Sequence, residues 1–240
     1  MEPFAGSACL FFHIAPPKAL LGDLNADLIG TYREVKKNPQ GIREILMGLW
    51  KGPRVYKRIR DDVDPKQLSQ TERAARFIYL NRCCFNGIFR TNSDGKFNVP
   101  YGGNKSGRMP KKKHLIGCSE LLENATLVAG DFEKVLAKVK PGDFVYMDPP
   151  FSVNARRVFR EYDKSIFTFE DVERLRSWML DLKKRKIPFL VSYAESEEAD
   201  FLKKGFHTEI VSVRRNIAGF SKDRARSNEL LISYTARSGK

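Results

Sequence analysis

The sequence predicts an α/β fold: a mostly parallel sheet with helices on both faces and an antiparallel last strand. Three observations lead to this prediction. From residue 115 onward, apolar runs alternate with helical periodicity, which is typical of crossover units between parallel strands. The last two apolar runs, 207–213 and 229–235, have no helical pattern between them and should pair antiparallel. The length of 240 residues allows one core with an inserted subdomain.

The predicted strands are short apolar runs. They lie at 19–21, 125–129, 143–147, 189–192, 207–213 and 229–235.

The predicted helices combine helical periodicity with start signals. Ser69-Gln-Thr-Glu72 is a capping box, and Thr168 is placed as an N-cap. A hairpin turn is expected at Ser93-Asp94-Gly95. Before it, the segment with Pro53 and Pro65 is read as a basic, polar connector. The helices are expected after residues 3–8, at 25–36 and 41–50, from residue 69, after residue 131, and at 168–186.

Composition narrows the class of protein. An apolar fraction of 42% with 17 Phe indicates a folded chain, and no run approaches the roughly 20 apolar residues of a membrane span. Glu2 and Pro3 do not open a secretory signal, so we expect a cytoplasmic protein without membrane association. Four Cys and three His show no metal-binding spacing, so no metal site and reduced thiols are expected.

Positive charge is concentrated in one segment. Residues 51–113 contain 16 Lys and Arg but 5 Asp and Glu, which places +11 of the formal +14 there. Such concentration favours a polyanionic partner, with nucleic acid the leading case. Charge alone leaves open a basic surface that serves only solubility.

Tyr146-Met147-Asp148-Pro149-Pro150-Phe151 is the clearest candidate site, because it follows an apolar strand at the edge where α/β sheets bind ligands. The two prolines fix the backbone and leave carbonyls without competing amide donors. The Asp148 carboxylate and the Pro149 carbonyl could each accept a hydrogen from the amino group of adenine. Its nitrogen lone pair would then point at a methyl-sulfonium carbon. Phe151 offers a flat face to an extruded base. The alternative to a functional site is that Asp148-Pro149-Pro150 is only a rigid turn after the strand.

Other strand ends offer groups that suit a nucleoside-containing cofactor. Small residues in Pro3-Phe4-Ala5-Gly6 let the backbone approach the methionine part of such a ligand. Asp23 can accept hydrogen bonds from ribose hydroxyls, or it can cap the next helix. Asp131 can accept from an adenine amino group and Phe132 can stack on the base, or the pair can simply start a helix.

These residues together resemble the Dam-type (alpha-group, D12 class) DNA adenine N6-methyltransferases. The resemblance implies a Rossmann-like, S-adenosylmethionine-dependent methyltransferase sheet from residues 1–50 and 115–240, with a target-recognition insert at 51–114. It implies that residues 148–151 hold a flipped adenine. The motifs, in the family's order, are Glu2 to Gly6, Asp23, Asn81 to Arg90, Gly95 to Gly102, Asp131-Phe132 and Asp148 to Phe151. The residues implied to hold S-adenosylmethionine are Pro3, Phe4, Gly6, Asp23, Asp131, Phe132 and Asp148.

The same resemblance implies that the hairpin contacts double-stranded DNA at a GATC-like site. We expect a monomer. Arg90 would read a guanine edge, since an Arg side chain can form two hydrogen bonds there. Ile88 would wedge between bases, with Phe85 and Asn86 close to the disturbed pair. Contacts to phosphates would come from Asn92, Asn98, Lys111, Lys112 and Lys113.

Two departures from the family pattern leave alternatives open. The family places a basic Gly-Gly-Lys loop before the Glu-Pro-Phe motif, whereas Met1 directly precedes Glu2 here, so we expect this loop to be missing and the first strand to be a stub. Gly103-Asn104 stands where a basic residue is common. The alternatives are a DNA-binding remnant without catalysis and a cytosine N4-methyltransferase. An RNA substrate is less favoured, and the biological role, such as restriction-modification, stays open.

Overall fold

The chain forms a mixed α/β structure, described here from a computed structural model for residues 1–150, 167–214 and 226–235. It contains two compact units. Unit 1 consists of residues 1–7, 20–24 and 131–240, and unit 2 of residues 8–19 and 25–130. No helix in the described ranges combines the length and the apolar character of a membrane span. The helices are α1 Cys9–Ile14, α2 Ala26–Lys37, α3 Pro39–Gly48, α4 Pro53–Asp61, α5 Gln70–Cys83, α6 Lys112–Leu122, α7 Glu133–Leu136, α8 Phe169–Lys184 and α9 Glu197–Leu202. The strands are β1 Ala19–Asp23, β2 Ala125–Ala129, β3 Val145–Met147, β4 Phe189–Ala194, β5 His207–Arg214 and β6 Arg226–Tyr234.

Unit 1 is built on a sheet in which β3, β4, β6 and β5 lie side by side in that order. β3 pairs parallel with β4, with Val145 opposite Phe189. β6 lies antiparallel to both β4 and β5, with Ser233 opposite Leu190 on one side and His207 on the other. β3, β4 and β5 therefore run in one direction, and the last strand is reversed. The predicted antiparallel pairing of the last two runs is confirmed.

A two-residue stub at the start of the chain continues this sheet. Glu2 forms a parallel bridge with Leu21 of β1. On its other side, the Met1 amino group donates to the Phe144 carbonyl at 2.7 Å, and the Tyr146 amide donates to the Met1 carbonyl at 2.9 Å. This is the pattern of a parallel pair. Residues 1 and 2 therefore lie between β1 and β3.

Helix α8 covers the sheet of unit 1 with one apolar face. The predicted cap is present, since the Thr168 hydroxyl accepts from the Asp171 amide and the Asp171 carboxylate accepts from the Thr168 amide. The buried residues are spaced three or four apart, which places them on one side of the helix. They are Val172, Leu175, Met179 and Leu182.

In unit 2, α2 packs against α3, α5 and α6. The capping box predicted at Ser69 and Glu72 begins α5, which buries Tyr79 against its neighbours. Two cations of α2 reach the backbone of β2: Arg33 donates to the Leu127 carbonyl at 2.8 Å and Lys36 to the Ala125 carbonyl at 3.1 Å. Side chains of the helix thus satisfy backbone acceptors of the strand.

The prediction of a polar connector after residue 50 was wrong, because residues 53–61 form α4. Pro53 occupies the first helical position, where its missing N–H has no partner to lose. Tyr56 and Ile59, three residues apart, supply the buried face of a helix that is otherwise basic. Helices α6 and α9 were not predicted either.

The boundaries of the two compact units differ from the predicted boundaries between the catalytic part and the insert. Residues 25–50 pack with the helices of the predicted insert, because α2 and α3 both contact α5. Unit 2 also includes α6 and β2. The division into a catalytic part, 1–50 and 115–240, and an insert, 51–114, stays a prediction.

Candidate functional site

The ends of neighbouring strands bring predicted cofactor residues together in unit 1. β1 ends at Asp23, and its carboxylate accepts the amide hydrogen of Gly6 at 2.9 Å. Gly6 has a φ of +48° and follows the stub. A positive φ favours glycine, and the absence of a side chain leaves the backbone open to a ligand. The turn after the stub is therefore tied to the end of β1.

Aromatic rings lie beside this turn. The Phe4 and Phe132 rings stack with centroids 5.1 Å apart, and Phe167 meets Phe4 edge-on at 5.7 Å. Phe132 is only 5% exposed, whereas Phe4 is partly exposed. Pro3 is buried. The structure thus places Phe132 next to the stub, within an apolar cluster, and leaves Phe4 the more accessible ring.

Asp131 lies within a dense polar network. Its Oδ1 accepts the Glu133 amide hydrogen at 3.0 Å and the Arg174 guanidinium at 2.7 Å. Arg174 also contacts Glu133 Oε2 at 2.7 Å, and its guanidinium carbon lies 4.8 Å from the centre of the Phe132 ring. The Arg174 hydrogen bond, followed by one from Trp178, lowers the pKa of Glu133.

Sequence reasoning missed this network and the edge-on ring of Phe167. Its members on α8 are Asp171, Arg174 and Trp178, with Trp178 Nε1 donating to Glu133 at 2.8 Å. These three residues are spaced as i, i+3 and i+7, so they share one face of the helix. That spacing was a signal in the sequence, but their partners, Asp131 before α7 and Glu133 on it, lie more than 40 residues away in the chain.

The candidate catalytic motif directly follows β3. Asp148 and Pro150 are exposed, while Pro149 is buried. Phe151 lies outside the described residues. Burial, followed by the charge of Asp148, raises the pKa of Tyr146 to about 12. Tyr146 therefore stays neutral at physiological pH, beside a carboxylate at the exposed end of the strand.

The hairpin predicted in unit 2 is present, held by antiparallel bridges rather than by long strands. Thr91 pairs with Phe97, and Cys84 pairs with Tyr101 at the base. The Gly102 amide donates to the Cys83 carbonyl at 2.8 Å. A Cβ on Gly102 would lie 2.6 Å from the Cys84 carbonyl oxygen, so only glycine fits there. The base of the hairpin is therefore fixed to the end of α5.

One arm of the hairpin is anchored to α4, and the other contacts α5. The Val99 carbonyl accepts from the Tyr56 hydroxyl at 2.8 Å and from the Arg60 guanidinium at 3.0 Å. The Phe89 ring stacks on Phe77 of α5 at 5.4 Å. The hairpin is thus positioned by neighbouring helices rather than by its own short bridges.

The predicted DNA-contact residues occupy the exposed part of this hairpin and the start of α6. Arg90 Nε donates to Asn98 Oδ1 at 2.8 Å, so this hydrogen bond links the two arms of the hairpin. Asn92 Oδ1 accepts the Asp94 and Lys96 amides and shapes the turn. Asn86 has a φ of +55°. The remaining predicted contacts are Phe85, half-buried, and Ile88, Lys111, Lys112 and Lys113, all exposed.

Within the described residues, no group of three or more His, Cys, Asp or Glu side chains is arranged to hold a metal ion. Cys83 and Cys84 are free thiols buried beside the hairpin, and burial raises the pKa of both.

Comparison with known proteins identifies the protein family. The family of D12 class N6 adenine-specific DNA methyltransferases matches residues 1–217. The chain belongs to this family. It is 35% identical to a type II methyltransferase of Lactococcus lactis subsp. cremoris, covering 97% of this chain and 84% of that protein. It is 33% identical to a type II methyltransferase of Methanocaldococcus jannaschii, covering 90% and 81%. It is 30% identical to the DNA adenine methylase of Escherichia coli, covering 98% and 85%.

Membership confirms the prediction of an adenine-specific DNA methyltransferase that the motifs gave. It also decides against the cytosine alternative, because the family is adenine-specific.

Proposed function

We propose that this chain transfers a methyl group from S-adenosylmethionine to the amino group of a flipped adenine in duplex DNA. Its sheet is of the Rossmann-like methyltransferase type, and the hairpin of unit 2 is the recognition element. The observation that carries this proposal is the grouping of Gly6, Asp23, Phe4, Phe132 and Asp131 in one unit. Asp148 follows a strand of the same unit.

The hydrogen-bond acceptors and aromatic rings of unit 1 fit S-adenosylmethionine. Asp23 would accept from the ribose hydroxyls and Asp131 from the adenine amino group, while Phe4 and Phe132 supply apolar contact. The backbone at Pro3 to Gly6 would admit the methionine part, since Gly6 presents no side chain. When bound, the cofactor supplies an electrophilic methyl group on a positively charged sulfur.

At the substrate base, the Asp148 carboxylate and the Pro149 carbonyl each accept one amino hydrogen. The Pro149 carbonyl is held in place because Pro149 and Pro150 restrict the backbone, and the same restriction sets the position from which the Asp148 side chain extends. The nitrogen lone pair is then freed from the ring and directed at the methyl group. As the N–C bond forms, the bond between the methyl carbon and sulfur would break, S-adenosylhomocysteine would leave, and the methylated nitrogen would lose one proton to water. Positioning and electrostatics lower the barrier without a covalent enzyme intermediate. Phe151 is proposed to stack on the base.

On the DNA, Arg90 is proposed to read guanine with Nη1 and with the remaining hydrogen of Nη2, since Nε and Nη2 each already donate one hydrogen to Asn98. Ile88 wedges between bases, and Phe85 and Asn86 lie close to the opened pair. The amide nitrogens of Asn92 and Asn98 are the atoms that can donate to phosphates. Lys111, Lys112 and Lys113 add charge, and the site is proposed to be GATC-like.

The test is methyl transfer from labelled S-adenosylmethionine to an unmethylated GATC duplex, with nucleoside analysis of the product. Asp148→Ala is expected to lower the rate about a hundred- to a thousandfold or more while DNA affinity stays near wild type. Asp181→Ala, which removes a surface pair with Arg185, is the matched control and should keep full activity. A wild-type rate for Asp148→Ala would refute the catalytic role. DNA binding without transfer by the wild-type chain would support the remnant alternative.

A further inference from the structure

One arginine in unit 1 contacts three carboxylates at once. Arg174 reaches Asp131, Glu133 and Asp171, each at 2.7 Å. Its side chain is 32% exposed, and those of its partners are between 23% and 41% exposed. An isolated ion pair at this exposure contributes little to stability, whereas several charges in one network contribute more, so stability and ligand binding have to be measured separately for this residue.

The hydrogen bonds to Asp131 involve one of its two carboxylate oxygens. Both hydrogen bonds to the Asp131 carboxylate from described residues go to Oδ1, one from Arg174 and one from the Glu133 amide. Oδ2 accepts none from the described part of the chain. A carboxylate with one oxygen held from two directions has a fixed plane, so the other oxygen points in a fixed direction.

We propose that Arg174 is a positioning residue of the cofactor site, which fixes the Asp131 carboxylate so that Oδ2 accepts the amino group of the cofactor's adenine. This inference rests on the proposed function, because it takes Asp131 as an adenine ligand. Arg174 itself need not touch the cofactor.

Two further contacts support this role. The guanidinium lies against the Phe132 ring at 4.8 Å, so the same side chain locates both members of the Asp131-Phe132 pair. Glu133 and Asp171 hold the guanidinium from other directions, and Trp178 donates to Glu133. Without Arg174, three carboxylates would repel one another, and the Asp131 carboxylate would keep only the Glu133 amide of its two hydrogen-bond donors.

The experiment measures binding of S-adenosylhomocysteine to the intact protein by calorimetry, without DNA or turnover. Arg174→Met is expected to weaken binding about tenfold, which corresponds to about 1.4 kcal/mol. Arg176→Met is the matched control: Arg176 lies on the same helix and donates to the Leu202 and Lys204 carbonyls instead. It should leave this affinity unchanged, and urea unfolding of both variants separates lost affinity from lost stability.

A double-mutant cycle with Asp131→Asn gives the decisive outcome. If Arg174 acts through Asp131, Arg174→Met has little further effect in the Asp131→Asn background. Full additivity would overturn the inference, as would wild-type affinity in Arg174→Met when Asp131→Asn binds weakly. If Asp131→Asn and Phe132→Ala both bind normally, the proposed cofactor site itself is wrong. Equal losses in Arg174→Met and Arg176→Met would reduce Arg174 to a structural role and also overturn the inference.

Discussion

The buried carbonyl of Val99 provides a quantitative test of how the hairpin is anchored. It accepts from the Tyr56 hydroxyl at 2.8 Å and from the Arg60 guanidinium at 3.0 Å. Tyr56→Phe removes the first bond and Arg60→Met the second. After either change alone, the carbonyl keeps one of its two partners.

Tyr56→Phe should lower the free energy of unfolding by about 1 kcal/mol, the usual net value of a neutral hydrogen bond, and Arg60→Met by about 1.5–3 kcal/mol, because its donor is charged. The double variant leaves a buried carbonyl without either partner, which costs about 1–3 kcal/mol more. The two changes should therefore be non-additive, with a coupling of about 1 kcal/mol or more. Arg60 also pairs with Asp61, but this loss occurs in both backgrounds of the cycle and cancels.

Urea unfolding of the four proteins measures this coupling, and a duplex-binding assay shows whether sequence discrimination falls with it. Tyr79→Phe is the matched control, because Tyr79 is equally buried but donates to the Trp50 carbonyl at 2.9 Å. It should lower stability by a similar amount and leave discrimination intact. Additivity of Tyr56→Phe and Arg60→Met within about 0.3–0.5 kcal/mol would refute the reasoning.

Three further predictions concern stability and salt dependence. Gly102→Ala should lower the free energy of unfolding, measured in urea, by more than about 1 kcal/mol. Its Cβ would lie 2.6 Å from a carbonyl oxygen, and a steric clash in a packed region typically costs at least about this much. Gly117→Ala, in a helix with open space, should instead stabilise by up to about 1 kcal/mol. The pKa of Glu133 is lowered by Arg174, so its contribution to stability is present above the unfolded pKa near 4.3 and is lost as pH falls through the lower folded value. Acid unfolding of Glu133→Gln should accordingly be less pH-dependent below about pH 4.3, and an unchanged profile would count against this pair. Lys112→Ala should reduce the slope of log affinity for DNA against log salt by about 1, measured by titration at several salt concentrations, and an unchanged slope would mean that it does not contact a phosphate.

Local signals in the sequence were the most reliable guides to the fold. The capping box at Ser69 and the N-cap at Thr168 were predicted because each depends on residues at most three positions apart. The turn at Ser93-Asp94-Gly95 was likewise predictable from a few neighbouring residues. α4 was missed because only Tyr56 and Ile59 mark its buried face among basic residues.

Contacts between distant parts of the chain could not be predicted in the same way. The sequence offered Phe132 as an open ring for a base, yet packing against Phe4 and Phe167 leaves it buried. The Arg174 network depends on the meeting of α7 and α8, which no local pattern specifies. The bond between Gly6 and Asp23 exists because parallel strands end at the same edge of the sheet.

The two cations that reach from α2 to β2 also bear on whether this protein aggregates with other chains. A strand with open carbonyls is a template on which a foreign strand can add, and this is a common start of aggregation. Arg33 and Lys36 already occupy the carbonyls of Leu127 and Ala125, two acceptors on the same side of the strand. An incoming strand would have to displace both and then approach two positive charges. Helix α2 thereby protects this edge of β2 against pairing with a strand of another chain.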